Sequence, residues 1–264
     1  MSRLTVLIST INDRIQSVPK MLLPRHEDIS YLVSFQYTLP EFLKEIPDEL
    51  TAREDVLVLP HPSMGLSVNR NNSLRNCRTE LAVLADDDTV FTIAQLEKII
   101  ETFDAHPEVQ IACFQAYTTE GKPLKNYADH EFNYEDRPRG TYFSSCEIAL
   151  RTDVQLPSFD TRFGLGSEYL SCGEEEVFIH MAYKSGLAVR YFPYPICKLL
   201  IGETTGQRFQ LDTRVRRSKG AVLYVMHGFV GSVLRIAKTA MMQERHKWRA
   251  FRDMWDGIMY MVKG

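Results

Sequence analysis

The chain has 264 residues, 44% of them hydrophobic and 25% charged, which excludes a disordered or fibrous protein and leaves one large α/β domain, alone or with a helical appendage. Its five cysteines are odd in number, widely spaced and without a CxxC pair, which excludes a zinc ribbon and points to reduced thiols in a cytosol. Net charge is −3, yet residues 207–264 hold 12 Lys/Arg against 4 Asp/Glu, a tail of +8 on a body of −11. Such a tail fits either a polyanionic partner or a solvated helix face. The apolar part of MSRLTVLIST is too short for a signal peptide, and nothing in it is expected to direct export.

In chain order, Leu4–Ser9 reads as a first strand, Arg14–Leu22 as a helical or loop segment broken by Pro19 and Pro24, and Tyr31–Gln36 as a second strand. Pro40–Ile46 has helical character and Val56–Pro60 is a third apolar run. Gly65 breaks the chain before Ser67, which is expected to cap a helix carrying Asn69, Arg70, Asn71 and Arg75. Leu81–Asp88 is a buried strand, followed by a helix over Thr92–Ala105 with Ile93, Leu96, Ile99, Ile100 and Phe103 at helical spacing. Val109–Ala116 is a further strand. This alternation is the pattern of a mostly parallel sheet with ligands along its strand ends.

Tyr117–Arg139 is polar and irregular, Thr141–Leu150 resumes strand character, and Ala188–Phe192 is a last strand that Pro193 and Pro195 close. Two helices are expected in the tail. The first shows Val222, Met226, Phe229, Val230, Val233, Ala237 and Met241 on one face, and the second Trp248, Phe251, Trp255, Ile258 and Val262. No stretch reaches the roughly 18 uncharged apolar residues of a spanning helix. The two stripes fit packing on the sheet, a homo-oligomer contact or an interfacial membrane surface.

Two acidic constellations carry chemistry. The strand from Leu81 ends on Asp86, Asp87 and Asp88, three like charges that raise one another's pKa unless a cation compensates, which favours a divalent metal held by hard oxygen ligands. A polar strand-to-helix connection is the plain alternative. Farther on, Gly164 and Gly166 imply a tight backbone, and Gly173 precedes Glu174, Glu175 and Glu176 at a helix start, where the dipole keeps carboxylates ionised.

A strand ending Thr10-Ile11-Asn12, then GLSVNRNNSLRN at 65–76, then ADDD, then FGLGS and GEEEVF, resembles in order and spacing a family 2 glycosyltransferase of the GT-A fold over about residues 1–200. The resemblance implies a Rossmann-like α/β sheet flanked by helices over 1–206, with a basic, amphipathic helical extension over 207–264. It implies an inverting transferase that moves a sugar from a nucleotide-diphosphate donor to a hydroxyl of a glycan or lipid-linked acceptor. Cell-surface polysaccharide synthesis at the cytoplasmic face of the inner membrane is the expected setting, with no nucleic-acid partner.

By position, Asp88 is the implied main ligand of Mg²⁺ or Mn²⁺, and Asp86 touches the metal or the donor ribose. Glu175 is the implied base and Glu174 its neighbour, with the choice between them open because the family's pair is usually Glu-Asp. Thr10, Asn12, Arg14, Gln36, Gly65 and Asp87 fall on the donor side, Gly164 and Gly166 on an acceptor-side loop, and Arg70 is placed to meet the diphosphate or the aspartates. Many relatives carry an acid at Gln36 and a late histidine ligand that Lys198–Arg208 lacks, where Glu203 stands as a substitute.

The same residues leave other readings open. Asp86-Asp87-Asp88-Thr89-Val90 fits the DxDx[TV] signature of a phosphatase, although such motifs follow the first strand of their domain and no GDxxxD partner appears downstream. A non-catalytic binding module on the same fold is the other alternative. A nucleotidyltransferase would need a glycine-rich basic amino-terminal loop that is absent. None of the seven histidines has motif spacing, and all are taken as structural or exposed.

Overall fold

The computed structural model describes residues 2–200, 205–243 and 246–263, and the Glu203 expected as a substitute metal ligand lies outside them. The chain divides into two compact units. One comprises Met1–Met64, Val68–Ser158 and Met181–Gly202, the other Gly65–Ser67, Phe159–His180 and Glu203–Gly264.

The first unit is built on a sheet. Strand β1 (Leu4–Ile11) is followed by a 3₁₀ segment at Asn12–Met21, then β2 (Ile29–Tyr37), a 3₁₀ segment at Pro40–Glu45, the short helix α1 (Asp48–Thr51) and β3 (Val56–Pro62). Helix α2 (Leu66–Asn76) leads to β4 (Leu81–Asp86), β5 (Thr89–Val90), α3 (Ile93–Ala105), β6 (Ile111–Thr118), β7 (Phe132–Asn133) and β8 (Ile148–Arg151). Helix α4 (Glu174–Lys184) precedes β9 (Val189–Leu199). The sheet order is β3-β2-β1-β4-β8-β6-β9-β5, with β7 also on β9.

Pairing is parallel from β3 through β2 and β1 to β4, and between β6 and β9, while β8 runs antiparallel to both β4 and β6. The sheet is therefore mixed, with its long ladders parallel and its short ones antiparallel. In β1, β2 and β4 both faces are covered, which is why they read as unbroken apolar runs instead of alternating ones. Leu4, Val33, Leu81 and Val83 are fully buried there, each such side chain contributing about 1.5–3 kcal/mol. Helix α3 lays Leu96, Ile99 and Phe103 on the core and starts with a capping box at Thr92, whose hydroxyl accepts from the Gln95 backbone N–H.

Three local expectations are corrected. Strand β9 does not stop at Pro193 but passes through Pro193 and Pro195 to Leu199, because the β6–β9 register shifts on both sides of Gln115, leaving Pro193 in the unpaired irregularity and Pro195 opposite Gln115. Thr141–Leu150 is not one strand: Ser145–Glu147 is a 3₁₀ turn, and only Ile148 onward pairs. Ser67 is not a cap either, since α2 starts at Leu66 and the Ser67 hydroxyl donates to the Phe163 carbonyl at 2.7 Å. Separately, Thr213–Met241 is by length and average composition long and apolar enough to cross a membrane, on a measure that admits charged residues. The expectation that no run of roughly 18 uncharged apolar residues occurs still holds, since Lys219 and Arg235 bound its longest uncharged run.

The second unit is helical, with α5 (Thr213–Met241) against α6 (Lys247–Lys263) as expected of the tail. The segment from Phe159 joins it: Phe163, Leu170 and Val177 share a core with Ala221, Val222 and Met261. The crossing of α5 and α6 is set by two glycines. A Cβ on Gly220 would lie 1.9 Å from the Met254 carbonyl oxygen, and one on Gly257 1.9 Å from that of Arg217. Buried Arg216 donates through Nε to Asp253 at 2.8 Å, so part of the basic tail is internal structure. Helix α5 is kinked at Gly228, whose backbone (φ 68°, ψ −177°) is left-handed and suits glycine.

Candidate functional site

The carboxyl ends of β1, β2, β3 and β4 bring the predicted donor-side residues of the first unit together. The strand β1 ends at Ile11, and Asn12 then adopts φ 52°, a conformation asparagine tolerates better than most residues. Its Oδ1 accepts from the Thr38 backbone N–H at 2.9 Å and from the Thr38 hydroxyl at 3.2 Å, tying the end of β1 to the end of β2. Gln36, buried at the end of β2, donates through Nε2 to Ser63 Oγ at 2.9 Å.

The three aspartates have three different environments. Asp86 accepts from Arg70 at 3.2 Å on Oδ1 and from the Ser145 hydroxyl at 2.8 Å on Oδ2. Arg70 itself is 2% exposed, a buried cation delivered by α2. Asp87, also buried, accepts from the Thr10 hydroxyl at 2.8 Å and from Arg14 Nε at 2.8 and 3.1 Å, and Arg14 Nη2 adds a further contact. Among the described residues no side chain donates to Asp88. Burial, then the negative charges of Asp86 and Asp87, push its carboxyl up to about 6.

The fit of a metal follows from this contrast. Among the described residues no group of three or more His, Cys, Asp or Glu side chains converges to hold an ion. Asp88 fits as a single carboxylate anchor, the one of the three aspartates to which no side chain donates among the described residues, whereas both carboxylate oxygens of Asp86 already accept, from Arg70 and Ser145. The remaining ligands of a Mg²⁺ or Mn²⁺ would then have to be diphosphate oxygens and water, which both ions accept.

A polar network that sequence reasoning missed backs the strand ends. His61 on β3 lies 3.1 Å from Ser34 Oγ, 2.8 Å from Ser63 Oγ and 3.3 Å from Asn69 Oδ1, and Asn69 Nδ2 donates to the Thr10 carbonyl at 3.1 Å. Burial pushes the His61 imidazole below its ordinary value, so it is neutral at pH 7 and can both donate and accept. The only prior signal was compositional: α2 is a helix whose buried face is Ser67, Asn69, Arg70, Asn71 and Ser73 instead of apolar residues. A buried polar helix face demands partners.

The other predicted residues lie in the second unit. Gly65, Gly164, Gly166 and Gly173 all have positive φ, as the tight backbone required. A Cβ on Gly164 would lie 3.1 Å from Glu174 Cδ and 3.2 Å from Ser67 Oγ, so only a glycine lets this loop close over the Glu174 carboxylate. Glu174 is 4% exposed, whereas Glu175 is half-buried, and Glu176 lies 3.8 Å from Lys219 Nζ. All three open α4, where their charge meets the positive end of the helix dipole.

Comparison with known proteins bears on the fold. Residues 34–157 match the family described as Glycosyl transferase family 2. No curated protein matches the chain in sequence. Among solved structures, S. aureus TarS 1-349 superposes with a TM-score of 0.58 at 14% identity, covering 97% of this chain and 81% of that one. The same protein in complex with UDP and with UDP-GlcNAc gives TM-scores of 0.57 and 0.55, with the same identity and coverage. The mixed α/β sheet with its carboxy-terminal helices is thus the GT-A fold, and the resemblance that ADDD and its neighbours carried is borne out.

Proposed function

We propose that this chain, whose residues 34–157 are a glycosyl transferase family 2 segment, moves a sugar from a nucleotide-diphosphate donor, with inversion, to a hydroxyl of a glycan or lipid-linked acceptor in the synthesis of a cell-surface polysaccharide. The observation that carries the reading is the division of labour among the aspartates: Asp86 and Asp87 are neutralised by Arg70 and Arg14, and Asp88 is left as an anionic anchor. The TarS complexes with UDP and UDP-GlcNAc support a uridine diphosphate sugar as the first donor to test. The match over 34–157, which includes Asp86–Val90, stands against the phosphatase reading.

In this reading Asn12 and Gln36 orient the nucleoside, and Arg14 and Arg70 turn part of their charge toward the diphosphate when it binds. A bound Mg²⁺ or Mn²⁺ anchored on Asp88 would supply Lewis-acid stabilisation of the departing diphosphate. Glu175, the more accessible of the first two glutamates, is assigned as the base and Glu174 as its neighbour under Gly164. The acceptor oxygen bonds to the anomeric carbon as the bond to the diphosphate oxygen breaks, and its proton passes to the Glu175 carboxylate. One displacement inverts the centre.

A thermal-shift panel of nucleoside diphosphates and sugar nucleotides, each with and without Mn²⁺, tests the reading. One nucleotide family should raise Tm in a Mn²⁺-dependent manner, and that shift should vanish in Asp88→Asn. A panel with no stabilising nucleotide would reject donor binding, and stabilisation without turnover on any acceptor would leave a binding module.

A further inference from the structure

The second unit carries a surface that glycosyl transfer does not use. Past the Gly228 kink, α5 turns Ile236 and Ala240 inward against Ala250, Met254 and Ile258 of α6. The outer side of this helix pair is apolar and bare. Phe229 meets Trp255 edge-on at 6.0 Å, Trp255 stacks on Phe251 at 6.4 Å, and Phe251 meets Trp248 edge-on at 6.4 Å, a continuous ladder of four rings across two helices. Trp248 is 84% exposed, the largest aromatic side chain left to solvent. Val230, Leu234 and Met241, at helical spacing on α5, are 72%, 67% and 67% exposed.

Charge decides what would cover this face. Asp253 is buried beneath the ladder and already bonded to Arg216, yet Arg249 and Arg252 also lie 4.0 and 3.6 Å from it, so three guanidiniums share one carboxylate. Arg249 and Arg252, with their side chains 55% and 70% exposed, line an open hollow of about 720 Å³ together with Trp248, Phe251 and Trp255. Arg235 and Lys238 stand beside the α5 stripe and Lys247 opens α6, all exposed. Aromatic rings at a polar–apolar boundary, bare aliphatics and a surplus of cations are together the surface of a helix pair that lies in a lipid–water interface.

We propose that the outer face of the α5–α6 pair docks on an anionic phospholipid bilayer, with Trp248, Phe251 and Trp255 at headgroup depth and Arg249 and Arg252 on lipid phosphates. A soluble anionic glycan would use the rings and cations but would leave Val230, Leu234 and Met241 in water. A second copy of the chain would bring the same cations face to face. The Gly228 kink and Arg235 set the α5 stripe to lie along a membrane, not across it. The inference goes beyond the proposed transfer reaction and stands on the second unit alone.

The chain's two tryptophans both lie on this face, so intrinsic emission reports it directly. The full chain is titrated with phosphatidylcholine vesicles and with vesicles containing about one-third phosphatidylglycerol. Emission should shift to the blue, with brominated-lipid quenching, and partition should be at least about tenfold tighter onto the anionic vesicles. Arg249→Gln/Arg252→Gln should abolish that preference, and Trp248→Ser, at a side chain 84% exposed, should lose most binding, each read beside its own Tm and with the nucleotide-induced thermal shift kept. Three results would overturn the proposal: no emission change with vesicles, a self-association that Trp248→Ser abolishes, or an equal shift from a soluble polyanion without vesicle binding.

Discussion

Arg14 grips Asp87 from the side, its Nε donating to both carboxylate oxygens at 3.1 and 2.8 Å. Arg14 is half-exposed whereas Asp87 is 4% exposed, so the pair stabilises a charge that water cannot reach. Arg14→Ala removes the cation and leaves Asp87 with Thr10 alone, and the loss should be about 2–4 kcal/mol in a denaturant titration. Arg14→Ala/Asp87→Asn should recover part of it. Equal stability of Arg14→Ala and wild type would mean that the pair is only incidental.

Asp88 gives the pH dependence. Its carboxyl is raised from 3.8 to about 6, so between these values the folded chain holds a proton that the unfolded chain has released. Stability from this group is therefore greatest below about pH 4 and falls as pH rises through about 6. Asp88→Asn should raise Tm relative to wild type at pH 7.5 and lose most of that advantage at pH 4.5. Mn²⁺ with a nucleoside diphosphate should stabilise wild type more at pH 7.5 than at pH 5, because the ion competes with the proton. A Tm gain at pH 5 as large as at pH 7.5 would count against Asp88 as the anchor.

The α5–α6 crossing depends on Gly257 and Gly220. Gly257→Ala puts a methyl 1.9 Å from the Arg217 carbonyl oxygen, a backbone atom that cannot rotate away. The helices must separate, at about 3 kcal/mol or more, lowering Tm by roughly 6–12 °C for a chain of this size. Gly231→Ala meets side chains and no backbone carbonyl, and should be milder in the same melting experiment.

Lys125 and Glu147 form a buried pair at 2.9 Å, and Glu147 is fully buried, with Tyr127 and the Ser144 backbone N–H donating to it as well. Burial raises the Glu147 carboxyl despite these partners. Lys125→Met leaves that carboxyl without its cation and should destabilise by about 3–5 kcal/mol. Lys125→Met/Glu147→Leu should be the more stable of the two variants, a non-additivity that a double-mutant cycle measures.

These cases mark what was legible in the residues. Strands such as Leu4–Ile11 and Leu81–Asp86, helix Ile93–Ala105 and the two tail helices carry their period or apolar run in local order, and the aspartates announce themselves by density. The course of β9 through Pro193 and Pro195 depends on a register shift against β6, which no local pattern encodes. The His61 network is not legible in local order, because its partners Ser34, Ser63 and Asn69 come from a strand, a loop and a helix that only the fold brings together. Arg70 was placed toward the aspartates and meets Asp86, but that Arg14 would take Asp87 and leave Asp88 alone required coordinates.

The central claim is most directly tested by following diphosphate release and sugar transfer from the nucleotide sugar that the panel identifies, in wild type, Asp88→Asn and Glu175→Gln. Wild type should turn over only with Mg²⁺ or Mn²⁺, and Asp88→Asn should lose metal-dependent donor binding. Glu175→Gln should bind donor with an unchanged Kd and lose about 100-fold or more of transfer. Undiminished turnover in chelator, or wild-type rates in both Glu175→Gln and Glu174→Gln, would contradict the account.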